Sequence, residues 1–340
     1  MPKKNKSNRV KLIANPGAGK ASEAAKNLES VLGYLGNLGM KADVALAKPK
    51  EKATPIARKA VKDGYKTVIA MGGDGTLEAV MRGMVGSKVR LGIIPVGTEN
   101  NIAQSLGIPK NLEDACALIA TQNTRKLDVG RVKTRKGRKF DFFELATVGL
   151  SAAVYPEAVR ATKGKLSGIK DAAVTLIRQE TRPQVVLTLD DESKIEVETM
   201  LVMVSTTPAF GKKFLVAPNA SLQDGLLDIS VYQDFSKAEL LGYYAKVMND
   251  GHAGEAKVQR YQARKLEVKS SPKQKVMADG IELGKGSVTI KMRPGALRVI
   301  TPEKSTGLGV AQKDSAKMTP VPVPAAVNDN HREKTASVPK

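Results

Sequence analysis

Four apolar runs, "RVKLIANP", "KADVALAK", "KTVIAMGG" and "RLGIIPVG", are each followed by a stretch whose apolar residues recur near helical spacing. Strands that alternate with helices point to parallel neighbours, because a parallel pair needs a crossover of roughly a dozen residues or more. The expected class is α/β: a doubly wound, Rossmann-like, mostly parallel sheet with its site at the carboxyl ends of the strands. From about Leu127 the rhythm changes. "KLDVGRVKT", "KFDFFELATVGL", "QVVLTLDD", "LLDISVYQ" and "SVTIKMR" read as strands with few helices between them, which predicts a β-rich, sandwich-like second domain. Beyond Pro302 the chain is rich in Pro, Lys and Ala without periodicity and reads as a disordered tail. The expected division is 8–127, 128–302 (its last strand free to return to the first domain) and 303–340.

Composition narrows the classes of partner. The formal net charge is +21, which draws the chain toward anionic surfaces or phosphorylated ligands. Trp is absent and aromatics make up 4%, too few for the stacking platforms of single-strand readers, so no nucleic-acid partner is expected. Cys116 is the single cysteine and there are two histidines, which leaves no disulfide and no zinc-type cluster. No run approaches ~18 apolar residues, and the basic start lacks an apolar segment before its first strand. A cytoplasmic chain is the expectation.

Three loops carry the chemistry. "NPGAGK" follows the first strand and opens the first helix, where free N–H groups favour an anion, although such a turn alone is often only a turn. "GGDGT" (Gly72 to Thr76) offers glycines for close backbone approach, Thr76 to cap a helix, and Asp74 as an acid where a metal-bound phosphate would lie. "LGIIPVGTENNIAQSLGIP" repeats the device one strand later, ending in Gly97 and Thr98 before Asn100 and Asn101 open a helix. Two basic runs stand apart: "KTRKGRK" (133–139), read as a hairpin tip, and "KGKLSGIKDAAVTLIRQ" (163–179), read as an amphipathic helix. Solvated faces are the bland account of both.

Taken in order with "LDVGRV", "VAPNASLQDGLLDISVY", "ADG" and "RPGALRVITP", these loops resemble the diacylglycerol kinase catalytic family, in particular the bacterial lipid kinases related to sphingosine and ceramide kinases. The resemblance runs from about Arg9 to Pro302. It implies that the first domain binds ATP, with Asn15, Gly72, Gly73, Asp74, Gly75, Thr76, Leu77, Glu78 and Thr98 around the nucleotide. It implies a magnesium site in the loop before "GLLD", with the Asp224 side chain and backbone oxygens of Ser221 and Leu226, a donor set of oxygens that suits Mg2+. It also implies a lipid hydroxyl as acceptor, an anionic membrane surface as partner and a peripheral association with it, and leaves a homodimer open.

The sequence departs from the family's pattern in three places. G-G-D-G-T-x-N-E continues here with Glu78 and Ala79; G-T-x-N-D ends here in Asn101; D-G-E reads Asp279-Gly280-Ile281, with Glu282 one place later. A one-residue shift along a strand reverses a side chain's direction. Gly280 could support a bulge that restores it, so the expectation is that Glu282 takes the hydroxyl proton while Asp279 shapes the turn or meets metal. Asp74, Asp279 and Glu282 are thus the candidate catalytic acids. A soluble kinase of the NAD type, which shares the GGDG loop, and a non-catalytic nucleotide- or lipid-binding regulator remain open readings.

Overall fold

A computed structural model describes residues 8–303 except 19–21, 50–51, 151–181, 211–213, 216, 234, 237, 241 and 244–256. The expected helix at 163–179 and the expected tail beyond Glu303 lie outside the described residues. The first lobe runs β1 (Arg9–Ala14), α1 (Ala24–Asn37), β2 (Lys41–Leu46), α2 (Ala53–Lys62), β3 (Thr67–Gly72), α3 (Asp74–Met84), β4 (Arg90–Pro95), α4 (Asn101–Ser105) and α5 (Leu112–Thr121). β2, β1, β3 and β4 pair in parallel in that order. β3 is buried along its whole length, as a central strand covered on both faces must be. Val31 and Leu35 of α1 pack with Cys116 and Ile119 of α5 on one face. Ala53, Ala57 and Ala60 of α2 pack with Val80 and Met84 of α3 on the other. The sheet is doubly wound, as its alternating pattern requires.

The remaining strands are β5 (Thr124–Thr134), β6 (Lys139–Phe142), β7 (Leu145–Gly149), β8 (Gln184–Leu189), β9 (Ser193–Ser205), β10 (Ala209–Phe210), β11 (Phe214–Leu215), β12 (Leu227–Gln233), β13 (Val258–Ala263), β14 (Lys265–Ser271), β15 (Lys275–Ala278), β16 (Ile281–Lys285) and β17 (Val288–Ile300). Among the described residues fifteen strands join in one hydrogen-bonded sheet: eleven follow one path from β16 to β2, β5, β6, β12 and β13 pair off it, and the β10–β11 hairpin stands apart. The second lobe is antiparallel and sandwich-like, filled by Val132, Phe142, Val202, Leu227, Ile229, Leu266 and Ile290 among others.

Two long strands join the lobes. β5 and β17 pair antiparallel over Val288–Arg293 and, after a register shift, over Leu297–Ile300. The end of β17 also lies parallel to β4, with Arg298 opposite Arg90. Residues 127 and 128 therefore fall in the middle of one strand rather than at a linker. The shift between Arg293 and Leu297 contains Pro294, which has no N–H to donate, and Gly295 at φ 58°. Buried Asp128 closes this kink: its carboxylate accepts from Gly295 N–H and Gly225 N–H, both at 2.7 Å, while its own N–H donates to the Leu222 carbonyl. One acid thus ties the strand pair to the loop before β12.

Candidate active site

The carboxyl ends of β1, β3 and β4 meet where glycine permits it. A Cβ on Gly97 would lie 2.3 Å from the Gly73 Cα, so the loops after β3 and β4 touch backbone to backbone. A Cβ on Gly72 would strike the Thr76 side chain at 2.5 Å. The Asn15 amide, at the end of β1, donates to the Thr76 hydroxyl at 3.0 Å, and Asn15 N–H donates to the Met71 carbonyl. Thr76 does not cap α3, contrary to expectation. Gly73 holds the N-cap position and Thr76 lies inside the first turn, where its hydroxyl is held by Asn15. Leu77 faces the core and its N–H donates to the Gly73 carbonyl, so it offers a ligand neither side chain nor N–H. Thr98 is exposed on the loop after β4. Gly97 N–H donates to the Asn100 side chain, whose amide donates back to the Gly97 carbonyl.

Asp74 opens α3 and faces the first turn of α4. Burial lifts its carboxyl above the ordinary range, and the N–H groups of Ile102, Asn100 and Asn101 pull it back. Its Oδ1 is buried with no hydrogen-bond partner. One turn along α3, Glu78 pairs with Arg82 at 3.0 Å, and the same Arg82 nitrogen lies 3.0 Å from Asp279. Arg82 also donates to the Asp141 carbonyl, and its guanidinium lies 4.6 Å from the Phe140 ring centre and 5.6 Å from that of Phe143.

Asp279 is where the second lobe enters. Asp279 and Gly280 both have positive φ, 41° and 71°, and join Ala278 to its partner Ile281: the Asp-Gly pair forms a two-residue turn of the I′ kind. The carboxylate turns inward to full burial. Oδ2 accepts from Arg82 and from Phe143 N–H, and Oδ1 from the N–H groups of Glu144 and Leu145, at 3.0 to 3.3 Å. Burial pushes the carboxyl up, while Arg82 and the three N–H groups draw it down.

Glu282 does not join this cluster. It lies opposite Met277, its side chain is 52% exposed, and its carboxylate faces Lys275 at 3.4 Å. β16 does contain an extra residue, but this is Leu283, beyond Glu282. The turn and Ile281 are regular, so nothing before Glu282 restores its direction.

An acid absent from the candidates takes that place. Glu144 is buried at 4% exposure, and its side chain lies beside that of Asn101, where the family pattern has an acid. Burial, then the charges of Glu78, Asp279 and Asp74, lift its carboxyl well above the usual range. The signal was present in the sequence: an acid inside the apolar strand run "FDFFELATVG", where a buried polar residue is the informative observation.

The loop before β12 holds the expected metal residues. Asp224 Oδ1 accepts from Leu226 N–H at 2.9 Å, and the Ser221 hydroxyl accepts from Gln223 N–H at 3.1 Å. Nearby Asp228 has a buried Oδ2 without a partner, and its carboxyl is raised to about 6 by burial, with Asp224 adding to the rise. Among the described residues no three His, Cys, Asp or Glu side chains group as a metal cluster. The donors on offer, carboxylate and carbonyl oxygens with one acceptor left over, fit a hard cation.

Comparison with known proteins agrees with this geometry. Residues 9–132 match the diacylglycerol kinase catalytic domain, and residues 146–301 match the YegS C-terminal NAD kinase beta sandwich-like domain. A diacylglycerol kinase of Mycobacterium tuberculosis is 28% identical over 297 residues, 86% of this chain and 95% of that protein. A Pseudomonas aeruginosa protein named probable lipid kinase YegS-like is 30% identical over 259 residues, 74% of this chain and 82% of its own. The fold is shared with the crystal structure of a diacylglycerol kinase from Bacillus anthracis str. Sterne: TM-score 0.66, 22% identity, 87% of this chain and 97% of that one. The parallel sheet with its glycine loops and the sandwich behind it are thus those of a lipid kinase. The chain belongs to the diacylglycerol kinase catalytic-domain family.

Asp279→Asn removes the charge on which Arg82 and three N–H groups converge. Breaking a buried pair from one side costs on the order of 3 kcal/mol. Urea unfolding is expected to show a loss of that size, and a loss below about 1 kcal/mol would mean the cluster is not held through Asp279.

Proposed function

We propose that this lipid kinase transfers the γ-phosphoryl group of ATP to a lipid hydroxyl at an anionic membrane surface. The observation that carries the reading is the meeting of buried carboxyl groups with the backbone-on-backbone contact of Gly73 and Gly97. Phosphoryl transfer needs little covalent chemistry from a protein; it needs positioning and control of charge. The glycine loops leave bare N–H groups for phosphate oxygens at the head of α3. Asn15, through Thr76, fixes the first turn of that helix. Asp74 sits at the loops' junction with one buried oxygen unpaired, an acceptor for a cation bound to the phosphates in this reading.

Magnesium belongs with ATP in this reading. Asp224, with the carbonyl groups of Ser221 and Leu226, would hold a cation, which would neutralise negative charge and order the loop before β12. Asp128, bonded to Gly225 N–H, holds that loop against the β5–β17 kink.

Charge supports action at a membrane. Lys133, Arg135, Lys136, Arg138 and Lys139 are all exposed around the β5–β6 turn, on a chain of net charge +21. Each Lys or Arg near an anionic surface contributes about 1 kcal/mol. No described helix is long and apolar enough to cross a membrane.

The test is transfer of labelled phosphate from ATP to a panel of lipid hydroxyls: diacylglycerol, ceramide, sphingoid base and glycerophospholipid. At least one is expected to be phosphorylated by the wild-type chain, and Asp74→Asn is expected to lower that rate by about 10²-fold or more. Near-normal turnover in Asp74→Asn would remove the loop from the triphosphate site. Sedimentation with vesicles addresses the surface: binding should require anionic lipid, weaken with salt, and fall when Lys133, Arg135, Lys136 and Arg138 are reversed to Glu. Binding indifferent to these charges would make the hairpin a solvated face.

A further inference from the structure

We propose that Glu144 is the general base of the transfer, accepting the proton of the lipid hydroxyl; this rests on the phosphoryl-transfer reading above. Lone-pair occupancy makes the case. Asp279 has both oxygens committed, to Arg82 and to the N–H groups of Phe143, Glu144 and Leu145. Glu78 is paired with Arg82. Glu282 is half exposed against Lys275. Asp74 faces the N–H groups of Asn100, Asn101 and Ile102. Glu144 has the Asn101 side chain beside it and, among the described residues, no ion pair. Asp74 keeps one oxygen without a partner but stands at the phosphate loops; of the other acids in the cluster, Glu144 is the one whose oxygens are least committed to donors. It also stands beside the head of α4, against the loop that follows β4.

The backbone beneath Glu144 is fixed on both sides. Its N–H donates to Asp279 Oδ1 at 3.1 Å. Its carbonyl accepts from Thr206 N–H at 3.1 Å and from the Ser205 hydroxyl at 3.2 Å. The Thr206 hydroxyl in turn holds the Phe143 carbonyl at 2.7 Å. A side chain on so fixed a backbone is held for a reaction rather than free to search for one. Asp279 then acts as a positioning residue that sets the Glu144 backbone, two places before Ile281, which stands where the family pattern has the acid of D-G-E.

The groups facing Glu144 are Asp74 and Glu78 of α3, Asp279 of the β15–β16 turn and Asn101 of α4, with Arg82 the cation of the cluster. Burial, then the three neighbouring acids, raise its affinity for a proton above that of an ordinary carboxylate. In the transfer, the acceptor oxygen bonds to the γ-phosphorus and the bond from that phosphorus to the β,γ-bridging oxygen breaks. The hydroxyl proton passes to a Glu144 oxygen, and the electron pair of the broken bond leaves with ADP.

The experiment compares Glu144→Gln, Glu144→Asp and Glu282→Gln with the wild-type chain on the lipid it phosphorylates best. Glu144→Gln should lower kcat by about 10²-fold or more with KM for ATP within about threefold, and Glu144→Asp should keep part of the activity. Glu282→Gln should leave kcat within about threefold. Melting temperatures within a few degrees of wild type would show that the losses are chemical rather than failures to fold. Full activity in Glu144→Gln, or a 10²-fold loss in Glu282→Gln, overturns the proposal. If Glu144→Gln does not fold, loss of kcat in Glu144→Asp supports the assignment and its absence refutes it. A wild-type chain that phosphorylates no lipid defeats the phosphoryl-transfer reading itself, which separates the two failures.

Discussion

One guanidinium holds the two lobes' acids together. Arg82 of the first lobe reaches Glu78 on its own helix and Asp279 of the second lobe at 3.0 Å each. Its side chain is 18% exposed and that of Asp279 is fully buried, so the pair belongs to the regime where loss of one partner costs several kcal/mol rather than a few tenths. Asp279 carries the constraint onward, because its oxygens receive the backbone of Phe143, Glu144 and Leu145. Arg82 thus fixes, through one carboxylate, where the start of β7 lies against the glycine loops.

The β5–β17 pair supplies the frame for that arrangement. A strand pair shared by both lobes leaves little freedom between them, and Asp128 locks its kink to the loop before β12. The acids of the site therefore lie on elements whose relative positions are set by a hydrogen-bonded sheet. A site that works by positioning needs that rigidity.

How much was legible in the sequence differs by element. The alternation of apolar runs with helical spacing was enough for the parallel sheet, because the inner strands β1, β3 and β4 are mostly buried and the helices between them pack on its two faces. The GGDGT and GTENN loops were legible because glycine at a strand end has few explanations. The Asp-Gly pair at 279–280 marks a hairpin turn by its residue types alone. Glu282 was misjudged because its direction depends on which side of it the extra residue falls, and Leu283 carries no local sign of a bulge. Glu144 was not among the candidates because the groups around it, Asn101, Glu78 and Asp279, lie far away in the chain. The shared strand pair was hidden for the same reason: strand partners come from tertiary pairing, while a change of rhythm near Leu127 marks only where the helices stop.

The account stands on the triphosphate lying at the glycine loops with its γ-phosphoryl group toward the buried acids. A crystal structure with a non-hydrolysable ATP analogue and magnesium tests this most directly. The γ-phosphate is expected against the N–H groups of Gly73 to Gly75 and of Thr98, with room for a hydroxyl between it and Glu144. A nucleotide seated elsewhere, or one whose γ-phosphate points away from Asp74 and Glu144, would contradict it.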